Sequence, residues 1–276
     1  MKKLLLLLLP FLFLSCETSP PTSPTGPSVK TGEILLNISF NIDAGHNASK
    51  KVLLEDFANV SCAPCVISNR IIESLVKESY GTEKLIFVKF PTNFPSAVDP
   101  FYLAAQNECD FRMSFYNIFF APTVIIDGLT RPVPTDSNSI KQAIDGRSII
   151  PAPFELNISK QTQGGGLVID LSITAKDTVS FNYADLVLHF ALVESEIEFA
   201  TPPGSNGETI FHNVLRLQLP GTQGYDLNEI KFSGTAGLSI NYEETIDELW
   251  DITKLHPVVF IQNKQTKEVY QAGSTF

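Results

Sequence analysis

The feature that most constrains the fold is a pair of cysteines placed between a buried strand and a helix. The apolar run Lys51–Phe57 predicts the strand, and the motif Cys62-Ala63-Pro64-Cys65 follows after a short loop. Beyond it, apolar residues recur at helical spacing, at Ile67, Ile71, Ile72, Leu75 and Val76. The order strand, loop, cysteine pair and helix therefore places Cys62 at the start of a helix and Cys65 one turn later.

This placement gives the two thiols different expected roles. Unpaired backbone N–H groups and the helix dipole stabilise an anion at a helix N-terminus, and thiol pKa values there fall from about 8.5 toward 3.5–7.5. We expect Cys62 to be an exposed nucleophile and Cys65 a sheltered resolving thiol, close enough to form a Cys62–Cys65 disulfide. Pro64 fits between them because the first turn of a helix has free N–H groups anyway.

The segment from Leu54 to Cys65 resembles the thioredoxin superfamily. Members carry a buried acid six residues before the first cysteine, which accepts the proton of the second, and Asp56 occupies that position. The resemblance implies that Asp56 carries this proton. Ser61 stands where the superfamily usually has Trp, which implies a different recognition surface.

A second stretch, Phe119–Gly128, supports the same resemblance. Thioredoxin-like folds place a cis-proline before a β-branched strand, opposite the cysteines, and Ala121-Pro122-Thr123 has this form. The resemblance implies that Ala121–Pro122 is cis and that Pro122 shapes the groove for an extended peptide. A strand at Leu85–Phe90 and helices at Val98–Tyr116 and Ser137–Ile149 would complete an α/β domain of residues 32–149.

Other interpretations of these residues stay open. A zinc site would need two more ligands, and the four histidines show no ligand spacing, so we expect no metal. The cysteine pair can instead be a catalytically idle structural disulfide. Glu55 and Asp56 can be simple strand-end charges. Cys109 is left unpaired, and a buried, inert thiol explains it better than a second resolving cysteine.

The N-terminal residues predict export and lipid anchoring. Met1-Lys2-Lys3 is followed by the apolar run Leu4–Leu14, too short to span a bilayer but typical of a signal peptide. Ser15-Cys16 resembles the bacterial lipobox, which implies a signal peptide of residues 1–15 and lipidation of Cys16; an ordinary signal peptide with an incidental cysteine is the alternative. Residues 16–31 are rich in Ser, Thr and Pro and predict an extended tether.

The second half has a different pattern. From residue 150 onward, short alternating strands are separated by turn signals such as Gly164-Gly165-Gly166 and Pro202-Pro203-Gly204, which predicts an all-β antiparallel sandwich, Ig-like, over residues 150–276. The predicted fold is therefore a thioredoxin-like α/β domain followed by a β-sandwich. Acidic residues exceed basic ones in both halves, and a net charge of −10 argues against nucleic acid as a partner.

The whole arrangement also resembles the outer membrane protein 28-related lipoproteins. The resemblance rests on the lipobox, on Val52–Phe57 with the cysteine pair, on Val193-Glu194 before His212–Arg216, and on Val258–Gln262. That family is described by location and fold, so it implies a lipid-anchored protein of the cell envelope, at the outer membrane.

Two functions follow from the sequence. The first is a thiol–disulfide oxidoreductase, or redox-active binding protein, that acts on exported protein thiols and needs no cofactor. The second is a non-catalytic envelope interaction module, in which the cysteines form a fixed staple and an envelope protein is the partner. Both would contact the membrane through the lipid anchor.

Overall fold

The structure is a computed structural model. It describes residues 30–176, 182–233, 237–242, 246–247 and 249–276. The predicted signal peptide, Cys16 and nearly all of the predicted tether lie outside these residues. In the part of the chain that is described, no helix is both long and apolar enough to cross a membrane.

The described residues form a mixed α/β fold of two sheets and five α-helices. The strands are β1 Ile34–Ile42, β2 Val52–Ala58, β3 Leu85–Pro91, β4 Thr123–Ile126, β5 Phe154–Gln163, β6 Gly166–Ala175, β7 Leu186–Glu198, β8 Ile210–Leu219, β9 Tyr225–Asp226, β10 Leu238–Tyr242, β11 Leu255–Asn263 and β12 Val269–Ser274. The helices are α1 Cys65–Ser74, α2 Pro100–Ala104, α3 Gln106–Tyr116, α4 Ser137–Ser148 and α5 Leu227–Ser233. A π-helical turn, Leu75–Tyr80, continues α1.

The larger sheet contains strands from both halves of the sequence. Its order is β12-β11-β7-β8-β3-β2-β4, with β9 beside β7. At its centre, β2 runs parallel to β3 and antiparallel to β4. Strand β8 joins the two halves, because it pairs with β7 on one side and meets β3 in parallel at Val214 and Lys89 on the other.

The smaller sheet has the order β10-β1-β6-β5. Strand β1 lies parallel to β6 and antiparallel to β10. Its alternating sequence buries Ile34, Leu36, Ile38 and Phe40 against a core shared with β6, β7 and β11, and leaves the intervening residues from Asn37 onward partly exposed. A strand of this kind fits a sheet with one wet face.

The strands are distributed differently from the predicted division after residue 149. Strand β1, expected in the first domain, belongs to the smaller sheet, and β7, β8, β11 and β12, expected in a separate sandwich, extend the sheet of β2, β3 and β4. The second half also contains α5, and the parallel β1–β6 pair departs from an all-antiparallel sandwich. The burial of the strands fits these positions. β2 and β3 are buried on both faces, as central strands of a covered sheet are, whereas β1 is buried on one face only.

Helices cover the two faces of the central strands. On one face, α1 and α4 pack on alternate residues of β2, β3 and β4, including Leu54 and Phe87. On the other face, α3 packs on the residues between them, including Phe57 and Phe90. Adjacent residues of β2 therefore face different layers, as the two-residue period of a strand requires. The predicted helix Val98–Tyr116 is two helices, α2 and α3, which meet at Ala105.

Candidate functional site

The cysteine pair lies where β2 ends and α1 begins. Cys62 and Cys65 are disulfide-bonded, with an S–S distance of 2.02 Å and Cα atoms 5.3 Å apart, which agrees with the predicted pairing. The backbone N–H of Cys65 donates both to the carbonyl oxygen of Cys62 at 3.1 Å and to its Sγ at 3.2 Å. This N–H lies at the start of the helix, and its contact with Sγ would stabilise charge on the Cys62 sulfur after reduction.

The loop before β4 lies against the cysteines. Ala121–Pro122 is a cis peptide bond, as predicted, and Ala121 packs on a small buried cluster made of Ala58, Cys62 and Cys65. The hydroxyl of Thr123 donates to the Phe120 carbonyl at 2.8 Å and fixes this turn. The turn that carries Pro122 and the cysteine loop therefore form two sides of one site.

The expectation that Cys62 is exposed is wrong. Cys62 is only 2% exposed and Cys65 is fully buried, while Ala63 and Pro64 between them face solvent. The Cys62 side chain is enclosed by the cluster that Ala121 completes. Moreover, the backbone just before Cys62 is held by a loop from the second half of the chain.

That loop joins β7 to β8, spans residues 199–209 and is called the β7–β8 loop below. The N–H of Asn206 donates to the Val60 carbonyl at 3.1 Å, and the N–H of Ser205 donates to the Ser61 hydroxyl at 3.3 Å. At Gly204, the position of a Cβ would lie 2.3 Å from the Val60 carbonyl oxygen, so the two backbones are in direct contact. The loop thus fixes the two residues that precede Cys62.

Asp56 is fully buried two residues before Ala58, on the same face of β2, and therefore on the side of α1 and the cysteines. Its Oδ2 accepts a 2.6 Å bond from the ammonium of Lys89, its register partner on β3. Lys89 also donates to the side-chain oxygen of Asn69, which lies one helical turn after Cys65. Among the described residues, Oδ1 of Asp56 has no hydrogen-bond partner. Asp56 can therefore accept one more proton or donor.

Glu55, the neighbour of Asp56, faces the opposite layer and is equally buried. Arg112 of α3 donates through Nε to one carboxylate oxygen, and the Tyr116 hydroxyl donates to the other at 2.7 Å. Gln262 of β11 bonds to both Arg112 and Tyr116 at 2.8 Å. The guanidinium also lies within 6 Å of four aromatic ring centroids, those of Phe90, Phe115, Tyr116 and Phe260. Neither acid is a strand-end charge.

A third buried acid, Asp99, is hydrogen-bonded to the loop that precedes the cysteines. Its Oδ2 accepts the N–H of Val60 at 2.9 Å, and its Oδ1 accepts the N–H groups of Phe101 and Tyr102 at the start of α2. Burial raises the pKa of Asp99, and these backbone hydrogen bonds oppose the rise. Since three backbone donors occupy this carboxyl group, its evident role is to fix Val60.

Cys109 is not part of the site. It is fully buried on α3, which covers the other face of the sheet, and it is unpaired. Burial, followed by the nearby acids, raises the pKa of this thiol well above its ordinary value. This agrees with an inert thiol.

Of the residues that the structure brings together here, the sequence pointed to both cysteines, Asp56 and Pro122. It did not point to Lys89, Asn69 or the β7–β8 loop. Lys89 left a signal, because it is the one charge within the apolar run of β3. Asn69 follows Cys65 by four residues, which places it on the same face of α1. The contact with the loop joins residues more than 130 positions apart, and no local pattern indicates it.

These observations define a class of protein: a mixed α/β fold with a disulfide between a central strand and the first helix. Within the described ranges, no group of three or more His, Cys, Asp or Glu side chains lies close enough together to hold a metal ion. No family model matches the sequence, and no curated protein matches it.

Solved structures provide the comparison. The fold is similar to HBP35 of Porphyromonas gingivalis, with a TM-score of 0.65 and 14% identity over 83% of this chain and 76% of that one. It is also similar to an Agrobacterium tumefaciens protein from a structural genomics consortium, with a TM-score of 0.53 and 13% identity over 83% of this chain and 94% of that one. At such identities the likeness is one of fold.

Proposed function

We propose that this chain is a thioredoxin-like thiol–disulfide oxidoreductase that acts on exported protein thiols, with a β-rich second half built around it. The observation that carries the proposal is the site itself: a Cys62–Cys65 disulfide at a helix start, against the Ala121–Pro122 turn. Asp56, buried on the same side of β2, has a free carboxylate oxygen. A purely structural disulfide would need neither the acid nor its spare oxygen.

The chemistry follows from ordinary disulfide exchange. A thiolate of an exported dithiol protein attacks the Sγ of Cys62; the Cys62–Cys65 bond breaks, and Cys65 leaves as a thiolate. The Lys89 ammonium gives up the proton that neutralises it, relayed by the Asp56 carboxylate, and regains one from solvent. The second substrate thiolate then attacks the substrate sulfur, releases Cys62 and closes a disulfide in the substrate. Two electrons pass from substrate to protein, and the reverse sequence reduces a substrate disulfide.

The surface beside the cysteines supports an apolar, extended substrate segment. Phe119 and Phe120 precede the Ala121–Pro122 turn and are 78% and 58% exposed, and Ile67 on the first turn of α1 is 52% exposed. These exposed apolar side chains lie on the two segments that carry Ala121 and Cys65, and exposed apolar surface of this kind favours binding of an apolar partner. The proposed role of Pro122 is to shape the turn on which such a segment lies.

Insulin reduction tests the proposal. The purified protein, in a dithiol buffer, is expected to accelerate insulin reduction, and Cys62→Ser is expected to abolish the acceleration while the variant stays folded. Equal rates for the two proteins would refute an oxidoreductase.

The burial of Cys62 favours a second candidate, in which the disulfide is a fixed staple and the molecule is an envelope interaction module. The reduction potential separates the two: a staple lies below about −300 mV and an active pair well above it.

We also propose that Cys16 is lipidated and anchors the protein in the cell envelope, at the outer membrane. The support is the signal-like sequence Met1–Leu14 with Ser15-Cys16. Labelling of cells with radioactive palmitate, compared between the natural chain and Cys16→Ser, tests this. Label retained by the Cys16→Ser variant would exclude it.

A further inference from the structure

The β7–β8 loop, residues 199–209, reaches from the second half of the chain into the redox site at two points. One is the backbone of Val60 and Ser61, described above. The other is Glu208, whose two carboxylate oxygens both accept from the side-chain amide of Asn69 at 2.9 Å. Asn206 also donates to Glu208 at 2.7 Å and holds the carboxylate within the loop.

Glu208 determines which way Asn69 faces. A side-chain amide carries an acceptor on one side and two donors on the other, and either orientation fits the same space. With its NH₂ held by Glu208, Asn69 presents its oxygen to the ammonium of Lys89. In the reverse orientation an NH₂ group would face the ammonium, which would weaken the hold on Lys89 beside Asp56. The chain of contacts therefore runs from Glu208 through Asn69 and Lys89 to Asp56.

We propose that the β7–β8 loop is a working part of the redox site, with Glu208 as a positioning residue for the Lys89–Asp56 pair. Gly204 has a covering role: its contact with Val60 holds the backbone before Cys62, so that the Cys62 side chain stays within the cluster of Ala58, Cys65 and Ala121. This inference rests on the proposed function, because it assigns a role to the loop in cysteine exchange. It also gives the second half of the chain a role at the site. The outer side of the loop lines a surface cleft of about 500 Å³ together with Arg70 and Glu73 of α1 and Lys77 of the π-helical turn, so a partner that occupies the cleft would contact Glu208 directly.

The positioning role is tested at equilibrium, where access to the disulfide does not matter. The full chain is equilibrated in dithiothreitol redox buffers, and the fraction of oxidised Cys62–Cys65 is measured by thiol alkylation. Glu208→Ala is expected to shift the equilibrium toward the disulfide by roughly tenfold, about 30 mV for a two-electron couple, because a misplaced Lys89 no longer stabilises the reduced pair. Glu208→Gln keeps an acceptor for Asn69 and is expected to stay close to the natural chain.

Asn69→Ala provides an independent check, because it breaks the same chain one residue further in. It is expected to produce the same shift as Glu208→Ala, and the double variant is expected to add nothing more. Should Glu208→Ala fail to fold, Asn69→Ala measured against Glu208→Gln decides the question. Equilibria equal to that of the natural chain in folded Glu208→Ala or Asn69→Ala would overturn the positioning role.

The covering role is tested by the rate of reduction. Gly204→Ala forces the loop away from Val60, and we expect dithiothreitol to reduce the disulfide several-fold faster. The control is Gly146→Ala on α4, where an added Cβ has nothing within 4 Å. An unchanged rate in Gly204→Ala would overturn the covering role. Both tests use a small dithiol, so they remain decisive if the protein does not act on insulin, and a failure of the proposed function is seen separately.

Discussion

Glu55 and Asp56 are neighbours on β2, both fully buried and both paired with a cation, yet they differ in how completely they are satisfied. Glu55 is enclosed by Arg112 and Tyr116, and both of its oxygens accept hydrogen bonds. Asp56 uses one oxygen for Lys89, and the other has no partner among the described residues. The two acids sit on opposite faces of one strand.

The difference separates structure from chemistry. A buried carboxylate with both oxygens hydrogen-bonded is costly to disturb. A buried carboxylate with a free oxygen is costly to keep, and such groups concentrate at functional sites. The face that carries α3 therefore acts as support, and the face that carries α1 and the disulfide is the one with unused hydrogen-bonding capacity.

The largest effect on stability should come from removing the cation that pairs with Glu55 on the α3 face. Arg112→Met leaves the Glu55 carboxylate buried without its cation, and we expect a loss of about 3–5 kcal/mol in the free energy of unfolding, measured with urea. The double variant Glu55→Gln with Arg112→Met removes both charges and should lose less. A loss below about 1 kcal/mol in Arg112→Met would contradict the supporting role of this face.

Asp56→Asn tests the α1 face, which carries the disulfide. In the proposed function Asp56 accepts the proton of Cys65, which an amide cannot do. The rate of insulin reduction should therefore fall by on the order of 10²-fold, the usual contribution of an acid–base group. The disulfide should still form, and Glu55→Gln, the matched change one residue away, should slow the reaction far less in whatever fraction folds. If Asp56→Asn reduces insulin at the natural rate, the two acids do not differ in function.

The burial of His189 should make the protein less stable in acid. His189 of β7 stacks on Phe260, with ring centroids 4.9 Å apart; its burial, and secondarily Arg112, lower its pKa well below 6.5. In the unfolded chain His189 is protonated near pH 6.5, whereas in the folded protein it stays neutral at that pH. The free energy of unfolding should therefore fall as the pH drops below about 6.5, by about 1.4 kcal/mol per pH unit from this residue alone.

His189→Gln isolates this contribution, since all other titrating groups stay the same. The difference in unfolding free energy between the natural chain and His189→Gln should be constant above about pH 7 and change in favour of the variant below it. A difference that does not vary with pH would show that His189 takes up a proton in the folded state.

The smallest effect on stability is expected at the surface. Phe120→Ser should change the free energy of unfolding by less than about 0.5 kcal/mol, because the ring is 58% exposed. It should raise the KM for insulin without lowering kcat, since it alters the surface on which a substrate would lie. Ile149→Ser, at a residue that is 80% exposed beside α4, serves as the control and should change neither.

Local signals in the sequence account for most of the elements and for the cysteine site. The run Lys51–Phe57, the cysteine motif and the Ala121–Pro122 turn each lie within a few residues, and the structure has a strand, a disulfide at a helix start and a cis bond there. The same local reasoning placed β1 in the first domain, although its alternating pattern already indicated a sheet with one exposed face.

What the sequence did not indicate depends on contacts between distant residues. The exposure expected for Cys62 followed from its neighbours alone, whereas its burial depends on the Ala121 turn and accompanies the docking of the β7–β8 loop on Val60 and Ser61. The sheet is likewise continuous across the two halves because β8 pairs with β3, a contact between Val214 and Lys89. No periodicity over ten or twenty residues encodes such a pairing.

The continuity of the larger sheet determines when during synthesis the chain can fold. Gln262, on β11, completes the hydrogen-bonded enclosure of Arg112 and Tyr116, and β8 borders the strand that carries Lys89. During synthesis, the segment with the cysteine pair leaves the ribosome long before β11 does. Until β7, β8 and β11 are synthesised, β2 and β3 lack their neighbours in the sheet. A fragment that stops at residue 149 would therefore expose apolar surface to proteases and chaperones and would not fold as an independent unit.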